Sequence, residues 1–389
     1  MMKDIVLVTA DSVRHDHFDS MEFLSSFDSR VGITPAHYTR PSLAGLLSSS
    51  LVSALQSRVE ERSLAEVLAA EGYTCIGLTP TPQADAAFGF DAGFDEYETF
   101  TEGGGENPFK NRRSRVREYF GGFVPVRRLY RRLVPMEAVL SSIPSDEELI
   151  DVAIERFNDT SGPRFLWIHL MESHRPYGVG DEAIPKALDR KAGAAGDGRL
   201  FSTPAPSDEE IEMIDRTYRD ALSRVDRQIE RLLSDLDGDP AFVFTADHGD
   251  EFGEEGYFYH QGFRRRVVDP IVEVPLVFSG FDAVENAEGD RDRVSLLDVA
   301  PTLAESVGVE PPVGWHGTSI SEGGSETMIT VAPWHEKATV GIRSDLGTLI
   351  ARDADVTLDS GGRRAEAERA ETSEEIERRL RELGYVDAG

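Results

Sequence analysis

Cysteine is almost missing from this chain: Cys75 stands alone among 389 residues. No intrachain disulfide can form. Lysine is nearly as scarce. Lys3, Lys110, Lys186, Lys191 and Lys337 are the only lysines, so arginine supplies most of the 41 basic residues. No apolar run approaches the roughly 20 residues that a membrane-spanning helix needs. No leader-like segment precedes the first apolar run, which begins at Ile5, and the expected location is the cytoplasm. Positive charge is in deficit, with 71 acidic residues and a formal net charge of −30. That field repels nucleic-acid phosphates and excludes a general nucleic-acid binder. An acidic surface poor in lysine suits a protein that works in high salt, where screening removes most of the self-repulsion.

What is present is enough chain for one large α/β domain with an appendage, and a sizeable core. Asp4 to Ala10 is a β-branched apolar run of the kind that forms a buried parallel strand. Pro41 then suits the first turn of a helix bearing Leu43, Leu46, Leu47 and Leu51. Capping boxes at Ser63-x-x-Glu66, Ser145-x-x-Glu148 and Ser207-x-x-Glu210 predict three more helices. Strands are expected at Thr74–Leu78, Phe165–Leu170, Ala241–Thr245 and Val274–Phe278. This alternation predicts a parallel sheet flanked by helices. Residues 79 to about 107, and Gly178 to Pro206, read as loops. Met328–Ala332, Thr339–Arg343 and Leu349–Arg352 read as a small C-terminal sheet, followed by a helix capped at Thr372. The expected division is a catalytic domain over 1–322 and a C-terminal subdomain over 323–389.

Ligands of open α/β sheets bind at the carboxyl ends of strands. Three strand ends here deliver Asp11, His174 and the pair Asp247-His248. Two carboxylates and an imidazole form a donor set for a divalent cation, with Mn²⁺, Zn²⁺, Mg²⁺ and Ca²⁺ all open. An aspartate at a strand end also serves as a plain helix cap. The Asp-His-Gly triplet after a buried strand favours a metal, because side-by-side burial of such groups needs a counter-charge.

The chain resembles the sulfatase family of the alkaline phosphatase superfamily. The resemblance rests on Ile5-Val-Leu-Val-Thr-Ala-Asp-Ser-Val-Arg14, Thr39-Arg-Pro-Ser42, His169-Leu-Met-Glu-Ser-His-Arg-Pro-Tyr177 and Thr245-Ala-Asp-His-Gly-Asp-Glu-Phe-Gly253. His260-Gln-Gly262, Val274-Pro-Leu-Val277, Asp298-Val-Ala-Pro-Thr-Leu303 and Leu383-Gly-Tyr-Val386 follow in the family's order. It implies an alkaline-phosphatase-like α/β fold, a mixed, largely parallel sheet with a smaller C-terminal α+β subdomain. It also implies one divalent metal on Asp11, Asp247 and His248, completed by a nucleophile at Thr39. Two departures bear on the chemistry. Thr39 stands where sulfatases carry the Cys or Ser that becomes formylglycine, and Leu43 replaces the motif's arginine. No formylglycine is therefore expected. Ser12 stands where many sulfatases have a second aspartate. Both departures resemble the threonine-using phosphodiesterases and phosphoglycerol transferases of the superfamily.

The implied reaction is hydrolysis of a small anionic ester, phosphate mono- or diester ahead of sulfate. Thr39 would attack from a helix N-terminus that favours anions. Arg14, His174 and His260 would bind the ester oxygens, and the two histidines are the expected proton donors to the leaving group. His260 lies thirteen residues after Asp247, where relatives place a substrate-binding Lys or His. The alternatives are a phosphoryl-alcohol transferase acting on surface glycan or lipid, and an inactive binding protein in which Thr39 is only a cap. His15 and His17 read as supporting residues, and His37 as either site-lining or structural. His316 and His335 read as lying outside the site. The segment Lys110 to Arg132 holds nine basic residues against Glu118. It reads as either an anionic-ligand or peripheral membrane contact, or a solvated arginine-rich helix paired to the acidic body.

Overall fold

The computed structural model describes residues 2–100, 144–178, 183–195, 204–285, 292–335, 337–353, 355–360 and 363–367. The basic segment Lys110–Arg132 and the helix expected from Thr372 lie outside them. Eight strands form the main sheet: β1 (Ile5–Ala10), β2 (Ser29–Ile33), β3 (Thr74–Thr79), β4 (Glu96–Thr99), β5 (Arg164–Leu170), β6 (Ala241–Ala246), β7 (Glu273–Ser279) and β8 (Arg293–Ser295). Their spatial order is β4-β3-β5-β1-β6-β7-β2-β8. β7 runs antiparallel to its neighbours β6 and β2, and the other pairings are parallel.

β1 is central and all six of its side chains are buried. A continuous run of Ile, Val and Leu is what a strand covered on both faces requires. Truncating one such side chain, Leu7→Ala for example, would cost about 2–5 kcal/mol. The three capping boxes close as read, at Ser63, Ser145 and Ser207. In each, the serine hydroxyl accepts from the glutamate N–H three residues on, and the glutamate accepts from the serine N–H. The helix opened by Ser207 runs Asp208–Asp235 and buries Ile214, Tyr218, Leu222, Val225, Ile229 and Leu232. These recur at helical spacing, so a single apolar stripe faces the sheet.

A second, antiparallel sheet follows in the order β13-β12-β11-β10-β9, with β9 (Met328–Trp334), β10 (Lys337–Ser344), β11 (Gly347–Arg352), β12 (Asp355–Ser360) and β13 (Arg363–Ala367). β9 docks on the segment that leads into the Thr39 helix. The Val331 N–H donates to Pro35 O at 2.8 Å, and Thr330 Oγ1 donates to Thr34 O at 2.6 Å.

Three local expectations are corrected. The stretch after residue 79 contains β4, a short edge strand with no buried side chain and hence no periodic signal. The expected loop Gly178–Pro206 contains the helix Lys186–Ala194, which buries only Leu188 and Ala192. The second sheet has five strands where three were read. No described helix is long and apolar enough to cross a membrane.

Candidate active site

Strand register brings the site together. Ala10 lies level with Leu170 on β5 and with Ala246 on β6. The next residue of each strand therefore leaves the sheet at the same height. Asp11, Met171 and Asp247 emerge side by side, tied by Asp11 N–H to Leu170 O at 2.9 Å and Asp247 N–H to Ala10 O at 3.2 Å. Ser12 then turns the chain with a left-handed φ of 58°. Such a conformation in a non-glycine residue is uncommon and clusters at functional sites.

Thr39 arrives from the opposite side, at the first position of the helix Thr39–Ser48. The opening N–H groups of a helix have no intrahelical acceptor, and Pro41 contributes none to orphan. Ser42 Oγ fixes this helix to the β6 end by donating to Asp247 O at 2.5 Å. Thr39 Oγ1 donates to Asp11 Oδ2 at 3.2 Å and lies 3.2 Å from His248 Nε2. His248 Nε2 is 3.4 Å from Asp247 Oδ2. Asp11, Thr39, Asp247 and His248 thus form one contiguous cluster, and all four are buried. Ser12 Oγ donates to Asp11 Oδ1 at 2.6 Å and lies 3.3 Å from His260 Nδ1. Ser12, which stands where the resemblance implies a second aspartate, thus brings a hydroxyl to the cluster.

The electrostatics call for a cation. Burial is the largest influence on both aspartates and opposes ionisation. For Asp11, His174, His169, His248 and His260 outweigh burial, and its carboxyl is held well below the usual range. For Asp247, burial and the Asp11 charge push the carboxyl up. Two adjacent buried carboxylates cannot both ionise cheaply without a counter-charge. Around the cluster, the buried atoms Asp247 Oδ2, His169 Nε2 and His174 Nδ1 have no hydrogen-bond partner among the described residues. A divalent cation fits these donors, since it satisfies orphaned lone pairs and favours the ionised carboxylates. Among the described residues, two sets of ligand atoms converge closely enough to hold one, Asp11–His169–Asp247 and Asp11–His174–His260.

His169 was not singled out from the sequence. It faces inward on β5 opposite Thr9, whose Oγ1 lies 2.9 Å from its Nδ1, and its Nε2 is 3.8 Å from Asp11 Oδ2. Asp250 was missed as well. It accepts from the His260 backbone N–H at 2.6 Å, lies 2.6 Å from His260 Nδ1, and accepts from Tyr177 Oη. That arrangement orients His260, whose ring centroid lies 4.0 Å from that of His248 and 5.5 Å from that of His174. Burial holds the His174 imidazole below its ordinary value. Asp146 anchors the turn that carries His174, accepting from the Met171 and Glu172 N–H groups at 2.9 Å each.

Arg14 is placed differently from the expectation. Its guanidinium donates to Asp16, Asp250 O and Glu254, and it lines a separate cavity with His17, Asp215 and Phe252. With carboxylates already filling its fork, it braces the Asp247–Glu254 loop rather than facing the Thr39 cluster. His17 lies between Asp16 and Asp215, at 2.8 and 2.6 Å, in this same outer network. His37 packs beneath the cluster and donates through Nε2 to Gly262 O at 2.9 Å. His316 is tied to the chain through its backbone, donating to Ser49 O at 2.7 Å.

The sulfatase family model matches residues 3–309. A 2,3-bisphosphoglycerate-independent phosphoglycerate mutase of Haloquadratum walsbyi is 35% identical over 108 residues. That stretch takes in 26% of this chain and 20% of that protein. Among solved structures, a phosphonate monoester hydrolase from Silicibacter pomeroyi aligns with a TM-score of 0.62 at 15% identity, covering 99% of this chain and 95% of its own. A 2-O GAG sulfatase aligns with a TM-score of 0.61 at 13% identity, covering 99% and 90%. Identities this low establish a shared fold, the alkaline-phosphatase-like sandwich built above. The family model spans the strand ends that carry Asp11 and Asp247 and the Thr39 helix, and on that match this chain belongs to the sulfatase family.

Proposed function

We propose that this chain hydrolyses phosphate mono- or diesters, with Thr39 as nucleophile and a divalent cation held by Asp11, Asp247, His248 and the Thr39 hydroxyl. One observation carries the reading: Thr39 Oγ1 sits at a helix N-terminus, 3.2 Å from both Asp11 Oδ2 and His248 Nε2. A threonine serving only as a cap would turn its hydroxyl back to its own helix. Here the hydroxyl is spent on the cluster, and the Thr39–Ser48 helix has no side-chain cap. Threonine cannot give formylglycine, which favours phosphate over sulfate chemistry. The phosphonate monoester hydrolase likeness agrees with that preference.

The chemistry such a cation supplies is acidification of the hydroxyl and neutralisation of ester charge. The protein's own groups account for the proton traffic. Thr39 Oγ1 attacks phosphorus in line, and its proton passes to Asp11 Oδ2, the acceptor it already faces. The bond from phosphorus to the alcohol oxygen breaks. His260, oriented through Nδ1 by Asp250, gives that oxygen a proton and releases the alcohol. His174 donates its single N–H to the transferring group's oxygens, and the free N–H groups of the Thr39 helix take the same charge. Water then attacks the threonine ester, gives its proton to His260, and Thr39 Oγ1 recovers its proton from Asp11.

The acidic, lysine-poor surface extends the proposal to a cytoplasm of high salt content. The test of function is a panel of p-nitrophenyl phosphate, bis-phosphate, phosphonate and sulfate esters on the metal-loaded protein. Phosphate esters are expected to turn over fastest. Thr39→Ala, assayed at saturating metal, is expected to lower kcat by about a thousandfold or more. Fastest turnover of the sulfate ester, or full activity in Thr39→Ala, would overturn the reading.

A further inference from the structure

Away from the Thr39 cluster, a cavity of about 650 Å³ lies between Ala183–Pro185 and one face of the helix Asp208–Asp235. No residue of the catalytic cluster lines it. Its helical wall presents Arg216, Asp220, Arg224 and Arg227, and Ile184 and Pro185 close the other side. Its size falls in the usual range for ligand pockets, roughly 300–1,000 Å³.

Arginine in this acidic protein is ordinarily paired. Arg14, Arg156, Arg219, Arg231 and Arg266 all meet carboxylates. Arg216 has Glu212 and Asp220 one turn before and after it, and Arg227 has Glu230 three residues on. Those spacings favour helix-surface ion pairs. Neither arginine takes them, and neither makes an ion pair or hydrogen bond with any described residue. Both line the cavity instead. Arg224 lies between them and donates through Nε to Glu172, while its Nη2 is buried with no partner. Among the described residues, three guanidinium groups therefore border one concavity against the carboxylate of Asp220, in a chain whose net charge is −30.

The spacing selects the ligand. Arg216 and Arg227 are eleven residues apart, or roughly 16 Å along the axis at about 1.5 Å per residue. The two arginines stand at opposite ends of this wall, so a ligand with an anionic group at each end engages both, and planar guanidinium forks match phosphate and sulfate oxygens in pairs. We propose that this cavity binds an elongated ligand carrying at least two phosphate or sulfate groups, through Arg216, Arg224 and Arg227. Glu172 joins this wall to the turn that carries His174, two residues further on. A bound ligand would thus lie against the same turn that serves the catalytic cluster.

The test uses hexane-1,6-disulfonate, which has no ester bond to lose, on the metal-loaded full chain. Phenylglyoxal modification at Arg216 and Arg227 is followed by peptide mass spectrometry. Disulfonate is expected to slow modification at both positions by about threefold or more, and methanesulfonate at matched ionic strength is not. Calorimetry should show affinity for the disulfonate falling by about tenfold or more in the Arg216→Gln/Arg227→Gln double variant. Both positions are exposed on the helix, and turnover of p-nitrophenyl phosphate should be unchanged in that variant. Absence of protection, equal protection by methanesulfonate, or undiminished affinity in the double variant would overturn the proposal. These readouts do not depend on catalysis, so they stand apart from the assignment of Thr39.

Discussion

His169 sits inside an apolar strand, and that placement conceals it in the sequence. Phe-Leu-Trp-Ile-His-Leu reads as a buried β5, in which a lone histidine is most simply a core residue bonded to a neighbour. Only the register, which sets Thr9 beside it and Asp11 one step beyond, shows its free Nε2 turned to the cluster. Asp250 escapes notice for a related reason, because its role depends on His260 folding back ten residues later. Asp11, Asp247 and His248 were legible because each stands at the end of a strong strand, and Thr39 through the resemblance of Thr39-Arg-Pro-Ser42 to the family's nucleophile motif. Arg14 was legible as a motif residue, yet its partners Asp16 and Glu254 were not. His37 gives a residue-scale test of burial. Burial pushes its imidazole down to about 3. Between pH 6.5 and about 3 the unfolded chain therefore binds a proton that the folded chain refuses. This contribution to stability is fully present above pH 6.5 and is lost as pH falls, by up to about 1.4 kcal/mol per pH unit. Denaturant unfolding at pH 7, 5 and 4 with chelator present should show a shallower loss in His37→Gln than in the parent. Equal slopes would contradict neutral burial.

Elements with a mechanism written into them were readable, and elements without one were not. The capping boxes at Ser63, Ser145 and Ser207 combine a hydroxyl, a glutamate three residues on and an apolar stripe, so their helices start where expected. β4 and β8 lack any such signature. The first has no buried side chain and the second spans three residues, so the pairing partner dictates the strand. The helix Asp146–Asp159 also has a task that its sequence does not advertise. Asp146, in its first turn, accepts two backbone N–H groups from the turn that carries His174. Asp146→Asn keeps one good acceptor and aims an amide N–H at the other donor. It should cost about 1–3 kcal/mol of stability. It should also lower kcat by roughly tenfold to a hundredfold through misplacement of His174. Metal content should stay the same, because Asp146 touches none of the four proposed ligands. Unchanged kcat with lowered stability would mean that the turn holds His174 without this anchor.

At the scale of the molecule, charge sets the working conditions. A net charge of −30 over a chain with only five lysines is costly at low ionic strength, where unscreened carboxylates repel. Screening shortens the reach of that repulsion from about 10 Å at 0.1 M salt to about 3 Å at 1 M. The Tm is therefore expected to rise on going from 0.1 M to 1 M KCl, by scanning calorimetry, and a flat or falling Tm would contradict a high-salt protein. Five strands of the large sheet were legible because strand and helix patterns alternate along them, while β2, β4 and β8 were not read. The second sheet was legible only in its apolar half, β9 to β11, since β12 and β13 carry few apolar residues to mark them.

The central claim is that Thr39 becomes covalently bound to the transferred group. The direct measurement is acid quench of metal-loaded His260→Ala protein during turnover of p-nitrophenyl phosphate, followed by peptide mass spectrometry. The account predicts a phosphoryl group on the peptide containing Thr39, at Thr39 itself, and none in Thr39→Ala. Turnover with Thr39 unmodified throughout, or with the phosphoryl group on another residue, would contradict it.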